Sequence, residues 1–158
     1  MKRVIAAIGA AVILSAGVTA HAEEVPADVR AIAEELGGEY GICPELIEAV
    51  CYQESRFQPG AIGGGGKYIG IMQVNPVVHA ARMQRLGVID LTDTRSGMLV
   101  GVDYLAELFE LHEDPAVALM VYGGWGQRVD YYERTGVMPG YVETVLERSA
   151  RYEREHQK

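Results

Sequence analysis

The chain has 158 residues, 49% of them hydrophobic, a formal net charge of −8 and two cysteines. That length fits one domain with one core. An acidic chain repels phosphate, which argues against nucleic acid or an anionic membrane surface as partner but leaves an uncharged glycan open.

The first segment reads as an export signal. Lys2 and Arg3 precede an apolar run over residues 4–20, and Ala20-His21-Ala22 places small residues where a signal peptidase reads them. The run is short for a membrane span and has no second basic flank. Residues 1–22 are therefore expected to be a signal peptide, with an uncleaved membrane anchor as the alternative. No cysteine lies near the cut, which disfavours a lipoprotein. Removing 22 of the 158 residues leaves 136, and loss of Lys2 and Arg3 takes the charge from −8 to −10. The expected product, residues 23–158, is a monomeric domain in the periplasm, cell wall or extracellular space, without a stable membrane span.

The rest of the chain is patterned as helix. Val29, Ile32, Ala33 and Leu36 form a helical stripe over residues 25–36, closed by Gly37-Gly38. Pro44 suits the first turn of a second helix running to Glu54. Residues 60–70 are too rich in glycine for regular structure. A third helix is predicted over 76–86. Asp93 or Thr94 can cap a longer one, with Met98, Val102, Leu105 and Leu108 or Phe109 on one face. Asp114-Pro115 opens a short helix through Ala118, Leu119 and Tyr122, which Gly123-Gly124-Trp125-Gly126 breaks. The last helix starts near Pro139 or Gly140, and its charged end, 148–158, is expected to be a solvated face that frays. Strand signals are nearly absent. The fold class is all-α, a compact helical domain with a glycine-rich loop and little or no strand.

A helix opened by Pro44 separates Cys43 and Cys51 by about 12 Å of rise, too far for a disulfide, which needs Cα atoms within about 7 Å. Both are expected to be unbridged, buried small hydrophobes. His21, His79, His112 and His156 are scattered without metal-ligand spacing. No metal and no cofactor is expected.

One carboxyl stands apart. Ile47, Val50 and Glu54 lie at i, i+3 and i+7, so Glu54 continues an apolar stripe. It also falls in the last helical turn, where the helix dipole disfavours negative charge. Burial and dipole both raise its pKa and keep it protonated near neutral pH, as an acid that protonates a glycosidic oxygen requires. The same position suits a structural glutamate whose stem covers the core and whose head meets water. This segment alone leaves both readings open.

Further along come Glu54-Ser55-Arg56-Phe57, Gly70-Ile71-Met72-Gln73-Val74-Asn75-Pro76, Gly101-Val102-Asp103-Tyr104-Leu105, and Ala118-Leu119-Met120-Val121-Tyr122 with Gly124. Tyr141-Val142 followed by Val145 closes the series. In this order the segments resemble the soluble lytic transglycosylase (SLT) family, with its goose-type-lysozyme-like catalytic domain, over residues 44–146. The resemblance implies a fold of the α+β lysozyme-like superfamily and peptidoglycan glycan strands as substrate. It makes Glu54 the general acid and Ser55 an orienting residue, although Ser55 also reads as a plain polar helix end. It places Met72 and Gln73 along the glycan cleft. It has Tyr122 hydrogen-bonding near Glu54 and fixing its rotamer, with Tyr141 beside it; both also read as core aromatics. Ile71 and Val121 are mild departures from the pattern. Gly123, where the family has Asn, removes a side-chain amide from the cleft, and Asn75 or Gln127 are other sources of one.

The glycine run is not a phosphate loop, because that motif needs Gly at 61 and Ser or Thr at 68, where this chain has Ala61 and Tyr68. It reads better as a cleft wall, with Tyr68 available to pack on a sugar face. Trp125 either does the same or plugs the core.

Hydrolytic glycosidases usually place two carboxylates across the scissile bond. Between Glu54 and Asp90 the chain has no Asp or Glu. That favours cleavage of the MurNAc-GlcNAc β-1,4 bond by one carboxyl, ending in an anhydromuramic terminus. The alternatives are a hydrolytic muramidase using Asp90, Asp93 or Asp130 as second acid, and a catalytically weak peptidoglycan-binding accessory protein of a secretion or conjugation machine.

Overall fold

A computed structural model describes residues 24–157; the expected signal peptide lies outside them. In chain order the elements are α1 (Ala27–Tyr40), α2 (Pro44–Ser55), β1 (Ile62–Gly63), β2 (Tyr68–Ile69), α3 (Ala80–Leu86), α4 (Thr94–Leu111), α5 (Pro115–Tyr122), α6 (Val129–Thr135) and α7 (Gly140–His156). A single 3₁₀ turn (Gly126–Arg128) precedes α6. The compact, mostly helical domain expected from the pattern is present.

The second helix is the axis of the domain. Pro44 opens it, and Leu46, Ile47, Ala49, Val50, Cys51 and Tyr52 are all buried along it. A helix buried on nearly every face must be surrounded, and α1 and α7 pack on it while α4 packs on α1 and α5. The Asp93 carboxylate caps α4 by accepting from Ser96 N at 2.8 Å, and Asp114 caps α5 by accepting from Ala116 N at 2.8 Å.

Several boundaries differ from the sequence reading. The first helix does not stop at Gly37-Gly38 but runs through both to Gly41, whose φ of 71° ends it in the left-handed conformation that glycine adopts freely. Gly37 serves packing instead, because a methyl group there would lie 2.6 Å from the Ile42 carbonyl oxygen. The glycine segment is not wholly irregular: Ile62 pairs with Ile69 and Gly63 with Tyr68 in a minimal antiparallel hairpin. The third helix begins at Ala80 and not at Pro76. Asn75 Oδ1 accepts from Val77 N at 3.0 Å and Val78 N at 3.3 Å, a local turn that competes with helix. Helix α6 gave no sequence signal because it buries no residue fully.

The charged C-terminal segment does not fray. It stays helical to His156, and Tyr152 is fully buried, extending the stripe of Val142 and Val145 onto α2. The cysteines are both free, as the helix geometry required, but only Cys51 is buried; Cys43 is exposed.

This docking encloses an acid. Glu48 of α2 has no exposed surface, with Arg30 Nε of α1 at 3.8 Å and His156 Nε2 of α7 at 3.6 Å. Glu45 stands beside it, 3.1 Å from His156 Nδ1. Burial raises the Glu48 pKa to about 7, against the pull of His156 and Arg30. A carboxyl raised on folding favours the folded state most fully below its ordinary pKa, and that contribution is lost as the pH climbs through the raised value. The melting temperature should therefore fall between about pH 5 and about pH 8, and Glu48→Gln should flatten the fall. Parallel pH profiles for the two proteins would show that Glu48 does not titrate in this way.

Candidate active site

Helix α2 ends at Ser55, and the chain turns sharply there because Arg56 and Phe57 take φ values of 54° and 61°. The Ser55 hydroxyl is buried at this corner. It lies 2.7 Å from the Ile71 carbonyl and 3.2 Å from the Cys51 carbonyl, and it accepts from Gln58 N at 3.1 Å. One small side chain thus ties the end of α2 to the segment 70–73. Gly70 is required on that segment by its φ of 85° and by the Leu91 carbonyl oxygen, 2.1 Å from where a methyl would be.

Glu54 opens from this corner into a cleft of about 520 Å³, within the usual range for a ligand site. Gln53, Tyr68, Gln73, Asn75, Val78 and His79 line it, with Tyr104 of α4, Tyr122 and Gly123 at the end of α5, and Tyr141 of α7. Among the described lining residues Glu54 is the one carboxyl.

The tyrosines divide the labour differently from the expectation. Tyr141, at the start of α7, donates its hydroxyl to Glu54 Oε1 at 2.5 Å. Tyr122 instead donates to the Met72 carbonyl at 3.0 Å, bracing the segment opposite. Burial raises the Glu54 pKa and the Tyr141 hydrogen bond opposes it. Both phenols are pushed up, by burial first and then by the nearby carboxyl, so they stay neutral donors.

Met72 does not line the cleft. It is 1% exposed and packs on α4, where a methyl group at Gly101 would come 2.6 Å from its sulfur. Gln73 does line it, and its amide nitrogen donates to Ala61 O at 3.2 Å and Gly70 O at 2.9 Å, fastening the hairpin that presents Tyr68. Trp125 is 38% exposed, which removes the core-plug reading. Asn75 reaches the cleft; Gln127 is not among its lining residues.

Two further lining residues went unselected in the sequence. The His79 ring centroid is 4.5 Å from that of Tyr104, which is 5.5 Å from that of Tyr122. The three rings form one wall. Arg82 lies over Tyr104, 5.2 Å from the ring centre, and with Arg85 and Tyr40 converges on the nearly buried Asp103. Tyr104 was open to discovery, since it follows Gly101 by three residues on one helical face. His79 carried no such signal.

Residues 31–135 match the family described as the transglycosylase SLT domain. The chain belongs to that family. It is 32% identical over 79 residues to invasion protein IagB of Salmonella typhimurium, covering 46% of this chain and 49% of IagB. It is 35% identical over 94 residues to membrane-bound lytic murein transglycosylase F of Desulfosudis oleivorans, covering 58% of this chain and 20% of the relative. The chain thus spans about half the length of the one curated relative and a fifth of the other. Among solved structures, an inactive mutant of lytic transglycosylase Slt from Pseudomonas aeruginosa superposes with a TM-score of 0.70 at 19% identity, over 84% of this chain and 25% of that one. At that identity the match speaks for the fold alone. Among the described residues of this SLT domain no helix is long and apolar enough to cross a membrane.

Ser55→Ala removes a hydroxyl that fastens α2 to the 70–73 segment and leaves the buried Ile71 carbonyl without this donor. An unsatisfied buried acceptor costs about 1–3 kcal/mol. Urea denaturation should show a loss of that size, and unchanged stability would mean that another group replaces the hydroxyl.

Proposed function

We propose that this protein is an exported peptidoglycan lytic transglycosylase in which Glu54 serves as acid and then as base. The observation that carries this reading is the cleft itself, where a raised, half-buried carboxyl is the one acid among the described lining residues. Because Tyr141 donates to Oε1, the acidic proton resides on Oε2, free to reach the glycosidic oxygen between MurNAc and GlcNAc. Bond cleavage leaves positive character on C1 of the muramic sugar. The C6 hydroxyl then closes onto C1, and the Glu54 carboxylate takes its proton. The products are a GlcNAc hydroxyl and an anhydromuramic end, no water is consumed, and Glu54 returns protonated.

The other candidates for a second acid lie away from the cleft. Asp90 accepts from Thr92 N at 2.8 Å and Thr92 Oγ1 at 2.7 Å, Asp93 caps α4, and Asp130 lies in the first turn of α6. None lines the cleft. Family membership and the name of the murein transglycosylase relative support the same chemistry. Tyr68 and the ring wall of His79 and Tyr104 offer faces on which sugars pack, while Gln73 holds the hairpin that carries Tyr68. A substrate in the cell wall requires export, in keeping with a signal at 1–22 ahead of a monomeric domain at 23–158.

Glu54→Gln keeps the shape and the hydrogen bond to Tyr141 but has no acidic proton. It should fold, bind glycan and lose turnover by the upper end of about 10²–10⁴-fold. Asp90→Asn, Asp93→Asn and Asp130→Asn should each keep substantial activity, and asparagine preserves the cap at position 93. A folded aspartate variant as inactive as Glu54→Gln would replace this mechanism with two-carboxyl hydrolysis.

A further inference from the structure

Gly123 ends α5 with a φ of −75° and a ψ of 6°, a conformation open to any residue. Its lack of a side chain therefore answers to something other than the backbone. A methyl group at this position would lie 2.5 Å from Cε1, 2.7 Å from Cδ1 and 2.8 Å from Cζ of Tyr141. These distances are well inside van der Waals contact, and the three atoms belong to the ring whose hydroxyl meets Glu54 Oε1 at 2.5 Å. The ring lies against the bare Cα, between the end of α5 and the end of α2. A side chain at 123 would collide with this ring, and the ring carries the donor to the candidate acid.

We infer that Gly123 is a positioning residue: its missing side chain is the seat that sets the Tyr141 hydroxyl on Glu54. The inference rests on the reading of Glu54 as the acid, and it adds a residue that acts through Tyr141 without touching substrate. The titratable groups facing Glu54 are Tyr141 of α7, Tyr122 of α5 and Cys51 one turn back on α2; Tyr104 and His79 line the same cleft. Of these, Tyr141 is the hydrogen-bond partner, and its bond draws the carboxyl pKa downward.

The test is a cycle of Gly123→Ala, Tyr141→Phe and the pair, read by NMR titration of the Glu54 carboxyl carbon in isotope-labelled protein and by kcat on purified peptidoglycan. Gly123→Ala should raise the Glu54 pKa in the same direction as Tyr141→Phe and lower kcat by roughly 10- to 100-fold, the scale of a misplacement near 1 Å. In the Tyr141→Phe background, Gly123→Ala should add little to either effect. A wild-type titration curve for Gly123→Ala, or losses that add in full, would overturn the inference. If Gly123→Ala does not fold, combining it with Tyr141→Leu removes the obstructing ring and should restore folding; a pair that stays unfolded contradicts the proposal. The carboxyl titration needs no turnover, so a protein that cleaves no glycan would refute the reading of function while Gly123 is still judged.

Discussion

At the last turn of α2 a carboxyl is held partly out of water with one phenol to satisfy it. Burial alone drives Glu54 toward the neutral form, and a full set of donors would drive it toward the charged one. The hydrogen bond from Tyr141 stands between these limits. The proposed role of Glu54, losing and regaining a proton in one cycle, needs that balance, because a group fixed in either state completes only half the reaction.

The rest of the domain is arranged to keep this pair in register. Glu54 and Tyr141 come from helices that meet along much of their lengths, and Tyr152 at the far end of α7 anchors the contact. Across the cleft, Ser55 fastens the 70–73 segment to the same corner of α2, and Tyr122 braces it from α5 through the Met72 carbonyl. Met72 itself fills the space left by Gly101. The cleft walls are thus hung from α2, so a change in any fastening reaches the carboxyl through short paths.

Much of this was legible in the chain. The helices with strong stripes or caps, α2, α4 and α5, follow from periodicity, Pro44, Asp93 and Asp114. Glu54 was legible because it continues a stripe while being charged. What periodicity did not reveal are contacts between elements. Gly37-Gly38 look like a helix stop until the Ile42 carbonyl is seen against Gly37, and residues 148–156 look solvated until Tyr152 is found buried and His156 beside Glu45 of α2. Met72 and Gln73 are adjacent, and only the packing of Gly101 decides which of them turns into the core. Gly123 reads in sequence as a lost amide; in space it is where the Tyr141 ring lies. His79 joins the wall through Tyr104, a contact 25 residues away in the chain.

The most direct measurement of the central claim is the mass of the fragments released from purified peptidoglycan by the wild-type protein. One-carboxyl chemistry predicts muramic ends lighter by one water than hydrolytic ends, present from the earliest time points. Fragments carrying only the hydrated, reducing muramic end would contradict it and require a second group to activate water.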